Sequence, residues 1–159
     1  MGNEHQALQL LANYWDKRSS IYDSPIPDVF GRNITASFLR KLKPKSLVEV
    51  GCGTGAILSE LPGHVSLHGL DIDSHVLAKC RIHAPAASLV RGNALRLPYA
   101  SETFDIAYCH FLLLWVDDPL QALLEMKRVV KPGASVIAFA EPDYSARRDE
   151  PRELARLGK

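Results

Sequence analysis

Cysteine is scarce in this chain: three in 159 residues, Cys52, Cys80 and Cys109. They are odd in number, widely spaced and without a C-x-x-C pair, which argues against a disulfide framework and a cysteine-based zinc site. Cys80 and Cys109 stand among apolar residues and read as small core side chains. The six histidines, His5, His64, His68, His75, His83 and His110, show no metal-ligand clustering, so no metal is expected. An excess of one charge is also lacking. Nineteen Lys and Arg face eighteen Asp and Glu, for a formal net charge of +1. That balance leaves no broad electrostatic footprint for nucleic acid. The basic groups Arg40, Lys41, Lys43 and Lys45, and the pair Arg147 and Arg148, read as solvated faces. No apolar run reaches membrane-spanning length, and MGNEHQALQL lacks a basic stretch leading into an apolar one. No membrane association is expected, and a reduced, cytoplasmic setting is the default.

What is present is an ordinary globular composition, 47% apolar and 23% charged, at a length suited to one domain with a helical extension. Apolar positions at Leu8, Leu11 and Trp15 predict a helix over residues 4–20. A turn-rich connection follows from Ile21 to Pro27. A second helix is predicted from Pro27 or Asp28, with Val29, Phe30, Ile34, Phe38 and Leu39 on its inner face, ending at Lys43-Pro44. From residue 46 strands and helices alternate. Strands are predicted at 46–50, 65–70, 87–91, 103–109 and 134–140, and helices at 54–61, 74–83 and 118–130. Asp118 caps the last helix, Pro119 fits its first turn, and Lys131-Pro132-Gly133 stops it. This order predicts a doubly wound α/β fold, a mostly parallel sheet with helices on both faces.

Within that pattern VEVGCGTGAIL, residues 48–58, places Gly51, Gly53 and Gly55 where the first strand ends. Glycine there lets the backbone turn sharply or lets a ligand approach it, and N–H groups opening a following helix would favour an anionic group. Ligands of open parallel sheets sit beyond the carboxyl ends of the strands. Twenty residues after Gly51, Asp71 ends the second strand in HGLDID, where a carboxylate can accept both hydroxyls of a ribose. Asp73 or Ser74 is then the expected cap of the next helix. Gly51, Gly53 and Ala56 also satisfy G-x-G-x-x-G/A, so on these residues alone a nicotinamide-dependent oxidoreductase stays open.

The longer series separates the two. VEVGCGTG, then LDIDSHVL, then RGNALRLPYASETFDIAYCHFLLLWVDDPLQALLEMKRVVKPGASVIAFAEPDY resembles the class I S-adenosylmethionine-dependent methyltransferases, most of all their small-molecule branch, over about residues 46–144. The resemblance implies a Rossmann-like binding domain over 46–144, an N-terminal helical cap over 1–45 and the start of a helix over 145–159. It implies S-adenosylmethionine as cofactor and a small-molecule methyl acceptor. Glu49 and the backbone of Gly51, Cys52 and Gly53 would face the cofactor's methionine end. Asp71 would hold the ribose and Ile72 would pack on the adenine. Asn93 and Ala94 stand where the family commonly has an aspartate and a small residue, and the Asn93 carbonyl would accept from the adenine amino group. His110, after the fourth strand, would contact the cofactor, orient an acceptor or act as a base. Tyr14 and Tyr22 belong to the segment that folds over the cofactor in similar enzymes, and Glu141 is a candidate acceptor contact. Trp115 is expected beneath the fourth helix rather than on a ligand.

The family sheet normally has seven strands. After Ala140 nineteen residues remain, EPDYSARRDEPRELARLGK, without the apolar alternation of two further strands. The expectation is five strands with SVIAFA at an exposed edge, in a truncated chain or one whose edge is covered by a second copy or another polypeptide. A non-catalytic cofactor-binding or regulatory subunit is the alternative to a methyltransferase on this reading.

Overall fold

The first strand, β1 (Ser46–Val50), lies at the centre of a five-stranded sheet, and its residues 47–50 are buried on both faces. The computed structural model describes residues 31–141. Around β1 stand β2 (Ser66–Asp71), β3 (Ser88–Arg91), β4 (Phe104–His110) and β5 (Val130–Phe139), in the order β3-β2-β1-β4-β5. Every pairing is parallel. The helices are α1 (Arg32–Leu42), α2 (Ser74–His83) and α3 (Pro119–Val129). This is the doubly wound α/β architecture expected, with its chain reversal between β1 and β4.

The period of two along β1 and β4 divides the core. Leu47, Ile106 and Tyr108 meet Ala36 and Leu39 of α1 and Leu77 and Cys80 of α2. Val48, Val50, Ala107 and Cys109 turn the other way, onto Ala122, Met126 and Val129 of α3. The helix ends follow local chemistry. Asp73 accepts from the His75 N–H at 2.8 Å to cap α2. Asp118 accepts from Gln121 N–H at 2.9 Å to cap α3, with Pro119 in the first turn. Lys43 closes α1 in the left-handed region (φ 50°) immediately before Pro44.

Three expectations change. Residues 54–61 form turns and a single 3-10 turn, Leu58–Glu60, instead of a helix. Gly55 sits at φ 80° inside the segment, and Pro62 disfavours the helical region for Leu61, so the eight residues cannot extend a helical nucleus. On α1 the inner face is Thr35, Ala36 and Leu39, while Ile34 is 74% exposed and Phe38 44%. Ala36 and Leu39 join the buried cluster with Leu47 and Tyr108, while the Phe38 ring packs edge-on against Phe139 from the rim. The predicted helix start at residue 27 or 28, with Val29 and Phe30, lies outside the described residues. Finally, β5 begins at Val130 rather than 134. Val130 pairs with Phe104 and Ser135 with Ile106, so Lys131 to Ala134 bulge between them.

That bulge carries Lys131 to Asp105. The Asp105 carboxylate accepts from Lys131 Nζ at 2.8 Å and from the N–H groups of Lys45 and Ser46 at 2.8 and 3.0 Å. The ammonium and the two N–H groups pull its pKa from 3.8 down to about 2. A folded-state pKa below the unfolded one means that this stabilisation is complete above the unfolded value and lost as pH falls through about 2. In acid-unfolding titrations Asp105→Asn should therefore be less stable than the parent chain near neutrality, with the gap closing toward the acid limb. A constant gap across the titration would contradict the assignment.

Candidate cofactor site

At the chain reversal, a cavity of about 510 Å³ opens outside the carboxyl ends of β1, β2 and β4. Its floor is the glycine turn. Gly51, Gly53 and Gly55 have φ of 77°, 51° and 80°, a region that residues with a Cβ adopt at a cost. At Gly51 and Gly55 the protein itself also crowds the position. A Cβ on Gly51 would lie 2.7 Å from Leu112 Cδ1, and one on Gly55 2.5 Å from Cys80 Sγ. A Cβ on Gly53 would meet nothing within 4 Å, and Gly53 lines the cavity. Gly53 therefore presents bare backbone to the cavity, whereas Gly51, which also lines it, makes room for Leu112 and Gly55 makes room for Cys80.

The turn's N–H groups are used internally. Gly51 and Cys52 donate to Leu70 O at 2.7 and 2.9 Å, prolonging the β1–β2 ladder. Gly53 N–H donates to Asp71 Oδ2 at 2.9 Å, and Asp73 N–H to Asp71 Oδ1 at 3.0 Å. Asp71 thus ties β2 to the glycine turn and lines the cavity as well. Each of its oxygens retains acceptor capacity, since a carboxylate has about four lone-pair sites. Burial raises its pKa against the lowering by these N–H groups.

Glu49 enters the cavity wall from β1, 3% exposed. Its Oε2 accepts from the Tyr108 hydroxyl across the β1–β4 pairing at 2.9 Å. Burial lifts its pKa well above the ordinary carboxylate range, although the Tyr108 bond works in the opposite direction. A buried acid that accepts from a neutral hydroxyl is suited to a cation that would favour its charged form. His110, at the end of β4, is 5% exposed and also lines the cavity. Among the described residues no group of three or more His, Cys, Asp or Glu is placed to hold a metal ion, and no helix is long and apolar enough to cross a membrane.

A model of the methyltransferase domain matches residues 48–138. The chain belongs to that family. Over 103 residues it is 44% identical to a demethylmenaquinone methyltransferase of Shouchella clausii, covering 59% of this chain and 44% of that protein. Over 144 residues it is 33% identical to a demethylmenaquinone methyltransferase of Alkalihalophilus pseudofirmus, covering 85% of this chain and 61% of that one. The chain spans about half the length of these relatives. Among solved structures it is similar in fold to an S-adenosylmethionine-dependent methyltransferase of Thermotoga maritima, with a TM-score of 0.61 and 24% identity over 80% of this chain and 56% of that one. CalS10, an amino pentose methyltransferase of Micromonospora echinaspora with S-adenosylmethionine bound, has a TM-score of 0.58 and 24% identity over 67% of this chain and 48% of that one.

The methyltransferase domain brings together most of the residues singled out in its sequence. Glu49, Gly51, Cys52, Gly53, Asp71, Ile72, Asn93, Ala94 and His110 all line the one cavity. Ile72 is 52% exposed there. Asn93 differs in detail from expectation: its Oδ1 accepts from Leu95 N–H at 2.8 Å, so the loop already uses one of that oxygen's lone pairs. Cys52 contributes backbone, because its thiol is turned into the core beside Cys80. Tyr14 and Tyr22 lie outside the described residues. Trp115, expected beneath the fourth helix, is 43% exposed and lines the cavity. Leu112 is the residue that sequence reasoning missed, and the three glycines were its only signal: one of them is there to receive it.

Proposed function

We propose that this chain binds S-adenosylmethionine in the cavity and transfers its methyl group to a small-molecule acceptor. The observation that carries the proposal is the pairing of two carboxylates, Glu49 and Asp71, around a glycine turn whose Gly53 faces the cavity without a side chain. S-Adenosylmethionine carries an ammonium at one end and ribose hydroxyls near its middle. Glu49 would meet the ammonium, which would favour its charged form, and Asp71 would accept from the hydroxyls. Ile72 offers the adenine an apolar face, with Asn93 and Ala94 at its edge. When bound, the sulfonium supplies both the methyl group and a good leaving group, so the protein's own task is to position the reactants.

The acceptor side is formed by the segment after β4. Phe111, Leu112, Trp115 and Val116 make that wall largely apolar, which suits an apolar ring or chain. Demethylmenaquinone is the first acceptor to assay, because the relatives above are named for it. His110 stands where β4 meets this wall, and we assign it the orientation of the acceptor or the removal of its proton. His110→Ala should lower the turnover of a methylated acceptor by about 100-fold, with a much smaller loss of S-adenosylhomocysteine affinity. Equal losses in both measurements would reduce His110 to a cofactor contact.

The test of the proposal is calorimetric titration of the full chain with S-adenosylmethionine, S-adenosylhomocysteine and NADH. Binding of the two sulfur compounds without NADH is expected. NADH binding alone would overturn the reading in favour of hydride transfer.

A further inference from the structure

A carboxylate just beyond β5 holds the loop that follows β4. Residues Phe111 to Val116 link β4 to the Asp118 cap of α3, with only a 3-10 turn, Leu113–Trp115, as regular structure. Phe111 is in the left-handed region at φ 60°, which a residue with a Cβ adopts at a cost, and Leu112 follows in the right-handed region. Such an alternation aims successive N–H groups into one concavity that attracts an anion. Glu141, just beyond β5, fills it. Its Oε1 accepts from Leu112 N–H at 2.7 Å and its Oε2 from Leu113 N–H at 3.0 Å, while the Cys109 thiol donates to Oε1 at 3.6 Å. Phe111 N–H completes the set by donating to Phe139 O at 3.0 Å.

Leu112 then reaches the opposite wall. Its Cδ1 occupies the space that a side chain on Gly51 would need. One chain of contacts therefore runs from Glu141 through the Leu112 backbone and side chain to the glycine turn. The two walls of the cavity are set against each other by that carboxylate, although Glu141 itself is not among the residues lining the cavity.

We propose that Glu141 is a positioning residue: by holding Leu112 and Leu113 it sets the loop Phe111–Val116 against Gly51, and with it the cavity's affinity for its ligand. The proposal rests on the reading of the cavity as a cofactor site. It differs from the expectation that Glu141 touches the acceptor, since Glu141 is not among the residues lining the cavity.

The test uses the full chain with Trp15→Phe, which leaves Trp115 as the sole tryptophan and reporter of the loop. Glu141→Gln keeps the shape but presents an amide NH₂ to one of the two N–H groups, and Glu141→Ala empties the concavity. Both should bind S-adenosylhomocysteine at least about tenfold more weakly, the equivalent of one lost charge-assisted hydrogen bond. Both should also let acrylamide quench Trp115 more readily. Added formate, a free carboxylate, should restore affinity and quenching toward the parent values in Glu141→Ala, whereas chloride at equal ionic strength should not. General destabilisation would give no such rescue. Unchanged affinity and quenching in both variants would overturn the proposal, as would weakening that formate leaves untouched. If the parent chain bound no S-adenosylhomocysteine, the functional reading would fall separately. Trp115 quenching and its response to formate would then decide the role of Glu141 alone.

Discussion

Asp71→Ala should reduce S-adenosylhomocysteine affinity by at least about 100-fold, because two hydroxyl donors lose a charged acceptor, each such bond contributing about 1.5–3 kcal/mol. Loss of the proposed ribose contact is only part of the effect. Asp71 also receives Gly53 N–H and Asp73 N–H, so the substitution frees the glycine turn from β2 and leaves two backbone donors to find water. The unliganded protein should accordingly lose stability as well, by about 1–3 kcal/mol in denaturant titrations. Asp71→Asn separates the two contributions. It retains one carbonyl acceptor but sets an NH₂ against a backbone N–H, so it should recover part of the stability and little of the affinity. An Asp71→Ala protein that bound S-adenosylhomocysteine as the parent does would remove Asp71 from the site and leave it as a structural tie.

Gly55→Ala should be among the most destabilising single substitutions in the glycine turn, at about 3–5 kcal/mol. The left-handed φ of 80° accounts for about 1–2 kcal/mol once a Cβ is present. Crowding accounts for the rest: the new atom would fall 2.5 Å from Cys80 Sγ and 3.4 Å from the Cys80 Cα and Ala84 Cβ, in a buried cluster with little room to yield. Gly53→Ala is the paired control. Its φ of 51° carries the backbone cost without a clash, since nothing lies within 4 Å. It should cost about 1–2 kcal/mol of stability while placing a methyl group in the cavity wall. Urea unfolding of the two variants checks the contrast. Equal losses would mean that conformation alone, not packing against α2, requires glycine at position 55.

The same turn shows how far the sequence could be read. Three clustered glycines after an apolar strand, and an acid at the end of the next strand, locate the site because β strands and their ends are written in residues close together. Asp73 and Asp118 were legible as caps for the same reason, each bonding to an N–H two or three residues away. The alternation of strands and helices from residue 46 determined the parallel, doubly wound sheet, and the family resemblance carried its expected ligand. Local pattern failed where a neighbour distant in sequence made the choice. Residues 54–61 read as a helix, yet Gly55 takes a left-handed φ of 80° where it packs against Cys80 of α2. On α1 the buried face is Thr35, Ala36 and Leu39, which meet a cluster from distant strands, and not the larger Ile34 and Phe38. Glu49 meets Tyr108 across 59 residues, and Glu141 meets Leu112 across 29. The sequence by itself determined the strand series, the caps and the place of the cavity, whose causes act within a few residues. Only the tertiary structure decided which partners take the turn's N–H groups and which carboxylate holds the facing wall. Those bonds join segments that nothing but the packed sheet brings within reach.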